Sequence, residues 1–194
     1  MMFSVLSVVL CFQIIHTLAT PSGSDQCPTI IKKRDWGGQA STNVQYSTRP
    51  LEYVIIHHTA TPECQDEMAC TRRLVNMQNY HMNELGLNDI TYNFLIGSNG
   101  QIYEGVGWHK VGSHSPGWNA KSIGIAFIGD FRTKVPNKKM LDAAKDLILC
   151  SVEMGELKYQ YKLLGARSVK KTESPGGALY REIQNWRGFT RRIS

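Results

Sequence analysis

A chain of 194 residues, 42% hydrophobic and 20% charged, is long enough to bury one proper core and too apolar for a disordered polyelectrolyte. Its net charge of +6 and pI near 9.1 would suit an acidic partner. Lys and Arg are nonetheless scattered, with only short runs such as Lys32-Lys33-Arg34, Lys138-Lys139 and Arg191-Arg192, and no nucleic-acid motif accompanies them. Nucleic acid is therefore set aside as a partner, and most of these charges read as a solubilising surface.

The chain opens on an apolar run from Met1 to about Ala19, ending in the small-residue pattern Thr17-Leu18-Ala19. This is read as a secretory signal, residues 1–19. The run is short for a bilayer span and is broken by Gln13 and His16, and no later segment is apolar enough to cross a membrane. The mature chain is expected outside the cell, with a flexible segment over residues 20–28 and one folded domain over 29–194. Cys11 would leave with the signal, and Cys27, Cys64, Cys70 and Cys150 would remain in an oxidising compartment. Four cysteines permit three pairings. A turn between Cys64 and Cys70 would let these neighbours pair, leaving Cys27 for Cys150. The longer loop then stabilises more, on the order of 4 kcal/mol in the chain-entropy model.

Tyr53 to His58 is the first clear strand, β-forming residues that run into two histidines. A helix is predicted from about Met68 to Glu84, with Leu74, Met77 and His81 on one face and Gly86 as its stop. Ile90 to Ile96 alternates as a strand, Asn99-Gly100 signals a two-residue turn, and Gln101 to Glu104 returns. Val106 to Asn119 is a long loop carrying two Trp and two His, a length that usually serves function. Ile123 to Ile128 reads as a buried strand, and Asn137 caps a helix to about Met154. Leu163-Leu164-Gly165 is a short strand, Arg167 to Gly177 a loop, and Ala178 to Trp186 a last helix. The class is α/β: a single domain with a mixed sheet.

A histidine at the end of a buried strand is placed to ligate a metal. A catalytic zinc needs about three protein ligands and an open position. His81 reads as a packed core histidine, His109 and His114 have no helpful spacing, and the cysteines are needed for disulfides. The residues by themselves therefore favour a polar binding cleft over a zinc site.

Five blocks occur in order: Val54-Ile55-Ile56-His57-His58-Thr59, Ile90-Thr91-Tyr92-Asn93-Phe94-Leu95-Ile96-Gly97, Tyr103-Glu104-Gly105-Val106-Gly107-Trp108, Ser122-Ile123-Gly124-Ile125-Ala126-Phe127-Ile128-Gly129 and Ser174-Pro175-Gly176. From about Thr29 to Phe189 the chain resembles the short secreted peptidoglycan recognition proteins, relatives of phage-type zinc amidases that cut between N-acetylmuramic acid and L-alanine. The resemblance implies a central mixed sheet flanked by helices, with a groove above it for glycan and stem peptide. The pairs Cys27–Cys150 and Cys64–Cys70 are similar to that family's disulfides.

In catalytic members the first zinc ligand falls on His57 and an assisting tyrosine on Tyr92; both are present. The second ligand falls on Ala166 and the third on Ser174. A methyl group cannot ligate, and a protonated serine hydroxyl is a poor substitute for a thiolate. The resemblance thus implies a degenerate site (His57, Tyr92, Ala166, Thr172, Ser174) with no metal, no cofactor and no amidase turnover. The groove lining it implies is His57, Thr59, Tyr92, Trp108, His114, Asn119 and Thr172, with sugar stacking on Trp108. For Trp108, Trp118, His114 and Tyr92, ordinary packing competes with ligand contact.

Implied partners are bacterial peptidoglycan and extracellular proteins of an immune cascade. Gly107-Trp108 hints at diaminopimelate-type stems, whereas Ala120 stands where an arginine would pair with the extra carboxylate, although Lys121 is adjacent. That preference is open. Competing functions are an amidase with substitute ligands, a stem-peptide peptidase using Ser174 with His57 as base, and an interaction protein without ligand binding.

Overall fold

Leu51–His58 forms strand β2, a central strand whose β-branched centre is buried on both faces by the side chains packed above and below the sheet. In this computed structural model, which describes residues 27–191, β2 pairs in parallel with β5 (Ser122–Phe127) and β6 (Leu157–Gly165). The six-stranded sheet runs β1-β4-β3-β5-β2-β6, where β1 is Ile30–Ile31, β3 Phe94–Ile96 and β4 Ile102–Glu104. Only β3 and β4 are antiparallel, so the sheet is mixed, as expected. The expected signal and residues 20–26 lie outside the described residues. Among the described residues no helix is long and apolar enough to cross a membrane.

The two faces of the sheet are covered differently. On one, Val54, Ile56, Phe94, Ile96, Ile125, Phe127 and Leu163 meet Ala144, Leu147 and Ile148 of α2 (Lys138–Glu153) and Leu179 and Ile183 of α3 (Gly177–Ile183). Each fully buried Val, Leu, Ile or Phe among them contributes about 1.5–3 kcal/mol. Asn137 caps α2 by accepting the Met140 amide at 3.0 Å, as read from the sequence. On the other face, Leu95, Tyr103 and Ala126 pack against Trp36, Leu74 of α1 (Glu67–Asn79) and the Cys64–Cys70 disulfide. Cys27 pairs with Cys150 across 123 residues. Just beyond the end of β2 on this face, Thr59 and Tyr92 line a cavity.

Several boundaries moved for identifiable reasons. The expected strand over 90–96 shortens to Phe94–Ile96. Upstream, the Thr91 and Tyr92 carbonyls accept amides of the long loop, from Ser113 at 2.8 Å and Val106 at 2.9 Å. The Asn99-Gly100 turn is not a two-residue turn, which would place both central residues in the left-handed region. Here the Gly97 carbonyl accepts the Gly100 amide at 2.9 Å, and of the two only Gly100 (φ 83°) is left-handed. The helix after Glu67 continues past Asn79 as a π-helical turn, Tyr80–Glu84, marked by a Leu85 amide reaching Tyr80 O at 3.2 Å. The last sequence-predicted strand extends backwards to Leu157. Its first half is an edge with Lys158, Tyr159 and Gln160 exposed, so no apolar run announces it.

Candidate functional site

β2 ends at His57 and His58, and strand alternation sends the two rings to opposite faces. His58 is structural: its Nδ1 accepts the Phe131 amide at 3.1 Å. Burial lowers its pKa, opposed by Asp130. His57 points to the other face, where Tyr53, Ile55, Leu164 and Ala166 form a small buried apolar cluster. The carboxyl ends of parallel strands are the usual place for a ligand in an open α/β sheet.

His57 Nε2 lies 3.1 Å from Nδ1 of His114, a residue of the long loop. Both rings are buried. Desolvation, then the electrostatic cost of placing a second charge beside His114, pushes His57 well below the usual imidazole range. Desolvation, then Lys170, brings His114 to about 3. Two neutral imidazoles sharing this contact hold one proton between them. His114 Nε2 is buried without a partner. A bare ring nitrogen there leaves an unpaired acceptor, whereas an N–H would leave an unpaired donor, the rarer case in folded proteins. The arrangement with Nδ1–H on His114 and the acceptor on His57 Nε2 is therefore favoured. His57 then carries its own proton on Nδ1.

Tyr92 stands with its ring 5.2 Å from His57 and 6.3 Å from His81. Burial raises the Tyr92 phenol above its ordinary pKa, so it remains a neutral hydroxyl. His81 is the packed histidine foreseen: buried, its Nδ1 accepts the Thr91 amide at 3.2 Å. Thr59 Oγ1 accepts the Gly129 amide at 3.0 Å. Ala166 is fully buried in the apolar cluster. Ser174 Oγ accepts the His58 amide at 3.1 Å, and the Ser174 amide donates to Thr172 Oγ1 at 3.2 Å. Asn119 Oδ1 accepts the Ser115 amide at 2.7 Å, so this side chain braces its own loop.

Trp108 is not brought to His57. Its ring packs at 4.3 Å on Phe94, among the side chains beneath α2 on the opposite face. Trp118 lies on the His57 side instead, edge-on to Tyr53 at 5.1 Å, with Lys121 Nζ 3.9 Å from its ring centre. Alternation decides this: Phe94 faces the same way as Val54 and Ile56, and Tyr53 the same way as His57.

Two supports escaped the sequence reading. Gly124, inside β5, makes room for His114: a Cβ there would stand 2.4 Å from His114 Cδ2. A glycine within a strand signals such a close approach, although the partner is 10 residues away on a loop. Lys170 donates to the His114 carbonyl at 2.6 Å and ties the loop after β6 to the long loop. Among the described residues no group of three or more His, Cys, Asp or Glu is placed to hold a metal ion.

The family model described as N-acetylmuramoyl-L-alanine amidase matches residues 47–177. Peptidoglycan-recognition protein 1 of Holotrichia diomphalia is 67% identical over 181 residues, 93% of this chain and 92% of that protein. The chain therefore belongs to the amidase-related peptidoglycan recognition family. Among solved structures, Drosophila PGRP-SA superposes with a TM-score of 0.85 at 50% identity, covering 87% of this chain and 97% of that one. Peptidoglycan recognition protein-LE, solved in complex with tracheal cytotoxin, a monomeric diaminopimelic acid-type peptidoglycan, gives 0.82 at 39% identity, covering 84% and 96%.

Proposed function

We propose that this chain is a secreted receptor that binds bacterial peptidoglycan in the groove beside His57 and does not hydrolyse it. The observation that carries this reading is the donor set at the strand end. His57 Nε2 is engaged by His114, Ala166 offers a methyl group, and Ser174 Oγ accepts a backbone amide. This set does not fit a zinc ion, which needs about three nitrogen, sulfur or carboxylate ligands. What remains suits recognition: a neutral imidazole, the Tyr92 hydroxyl, and Thr59 and Thr172 at the margins. Ser174 makes no hydrogen bond to an imidazole among the described residues, which weighs against its use as a nucleophile. The relatives are named for peptidoglycan recognition, and one solved relative holds a peptidoglycan fragment. Signalling through extracellular partner proteins belongs to the same proposal.

Co-sedimentation with insoluble lysine-type and diaminopimelate-type peptidoglycan tests it, with zinc and released stem peptide measured on the same samples. Binding without stoichiometric zinc or peptide release is expected. Stoichiometric zinc with peptide release, or failure to sediment with either polymer, overturns the reading.

A further inference from the structure

α1 carries a polar feature that the His57 site does not use. Arg73, Asn76 and Tyr80 lie three and seven residues apart, on one helix face. With Thr59 and Tyr92 they wall a cavity of about 300 Å³. The Tyr92 ring also packs beside His57, so the cavity adjoins the His57 site.

Arg73 is half-buried, and its Nε is sealed from solvent without a hydrogen-bond partner. Among the described residues no carboxylate pairs with it; the recorded acid partners go to Lys33, Arg34, Arg49, Arg132 and other cations. No Asp or Glu lines the cavity, so nothing in its wall neutralises the guanidinium. An arginine stays charged at every accessible pH, and a buried donor without an acceptor is costly. A guanidinium in a cavity wall matches a planar carboxylate in a bidentate geometry. Tyr80, 55% exposed at the rim, adds a flat apolar surface beside it.

We propose that this cavity is a carboxylate subsite of the groove, in which Arg73 takes a free carboxylate of the bound muropeptide. The inference rests on the peptidoglycan reading above. A peptidoglycan stem offers this group from two sources: the α-carboxylate of the γ-linked D-glutamate, and the carboxylate at the stem's C-terminus. Arg73 would thus set specificity for stems whose carboxylate is free rather than amidated.

Calorimetric titration of the full chain with four synthetic muramyl tripeptides tests this: both carboxylates free, either one amidated, or both amidated. The wild-type protein is expected to bind a free-carboxylate form at least about tenfold tighter than the doubly amidated one. The singly amidated form that loses the preference identifies the source. Arg73→Gln should abolish the preference while keeping its affinity for the doubly amidated ligand, and Arg73→Lys should keep part of it. Equal wild-type affinity for all four overturns the inference without any variant having to fold. Equal weakening of all four by Arg73→Gln overturns it as well. A wild-type protein that binds none of them and does not sediment with peptidoglycan overturns the functional reading itself, and this subsite with it.

Discussion

His57 and His114 meet Nε2 to Nδ1 at 3.1 Å, one at the end of a central strand and the other on a loop 57 residues later. This contact makes His57 part of a neutral imidazole pair. The pair is buried, and no acid stands beside it to stabilise a positive charge.

The pair should make stability fall with acid. His114 titrates in the unfolded chain near 6.5 and in the folded chain at about 3. Between these values the unfolded state binds more protons, so stability is complete above pH 6.5 and falls progressively toward pH 3. Each pH unit in that window costs about 1.4 kcal/mol, hence about 2 kcal/mol by pH 5 from this residue. Thermal melts of wild type and His114→Gln at pH 7.5 and 5 check it, and an equal loss in both proteins would show the assignment to be wrong. His57, His58 and His81 are lowered too, so wild type carries further losses in the same direction.

Gly124→Ala should strike the same pair from beneath. Its Cβ would stand 2.4 Å from His114 Cδ2 against a strand that cannot retreat. Overpacking of this kind costs about 1–3 kcal/mol. Urea denaturation should show a lower midpoint, and peptidoglycan sedimentation should weaken as His114 is displaced. Wild-type values for both measurements would mean that the loop yields freely.

Restoring a donor set should restore a metal. The double substitution Ala166→His with Ser174→Cys supplies an imidazole and a thiolate beside His57, whose Nδ1 becomes a ligand once it loses its proton. About one zinc per chain is expected by atomic absorption, against none in wild type. Ala166 sits in a buried apolar cluster, so the metal-free double variant should be less stable by about 1–3 kcal/mol. Chelation should therefore lower its melting temperature and leave wild type unchanged.

The two disulfides should contribute unequally. Cys27–Cys150 closes a loop of 123 residues and Cys64–Cys70 one of 6. In the chain-entropy model these correspond to about 5 and about 2 kcal/mol. Paired Cys→Ala variants compared by denaturant midpoint test the order. A larger loss from Cys64 and Cys70 would point to packing, since both are buried between Trp36 and Leu74.

Much of the scaffold is legible in the residues. The apolar run into His57, the Asn137 cap and the 3.6-residue spacing of α2 are local signals, and local backbone chemistry answers them directly. The early half of β6 is not legible, because Lys158, Tyr159 and Gln160 form an exposed edge without a hydrophobic period. The ordered blocks also point to the family, to which the matching family model and the relatives assign the chain.

By itself the sequence determined which chemical groups the chain carries near the end of β2: the His57 imidazole, the Tyr92 phenol, the Ala166 methyl and the Ser174 hydroxyl. Only the tertiary structure decided which of them meet. It set His114 on His57, left Arg73 without a partner, and turned Trp108 onto Phe94 while Trp118 came to the groove side. The reason is geometric. Side-chain type is a property of one residue, whereas facing direction depends on strand register, and contact depends on loops that close over dozens of residues.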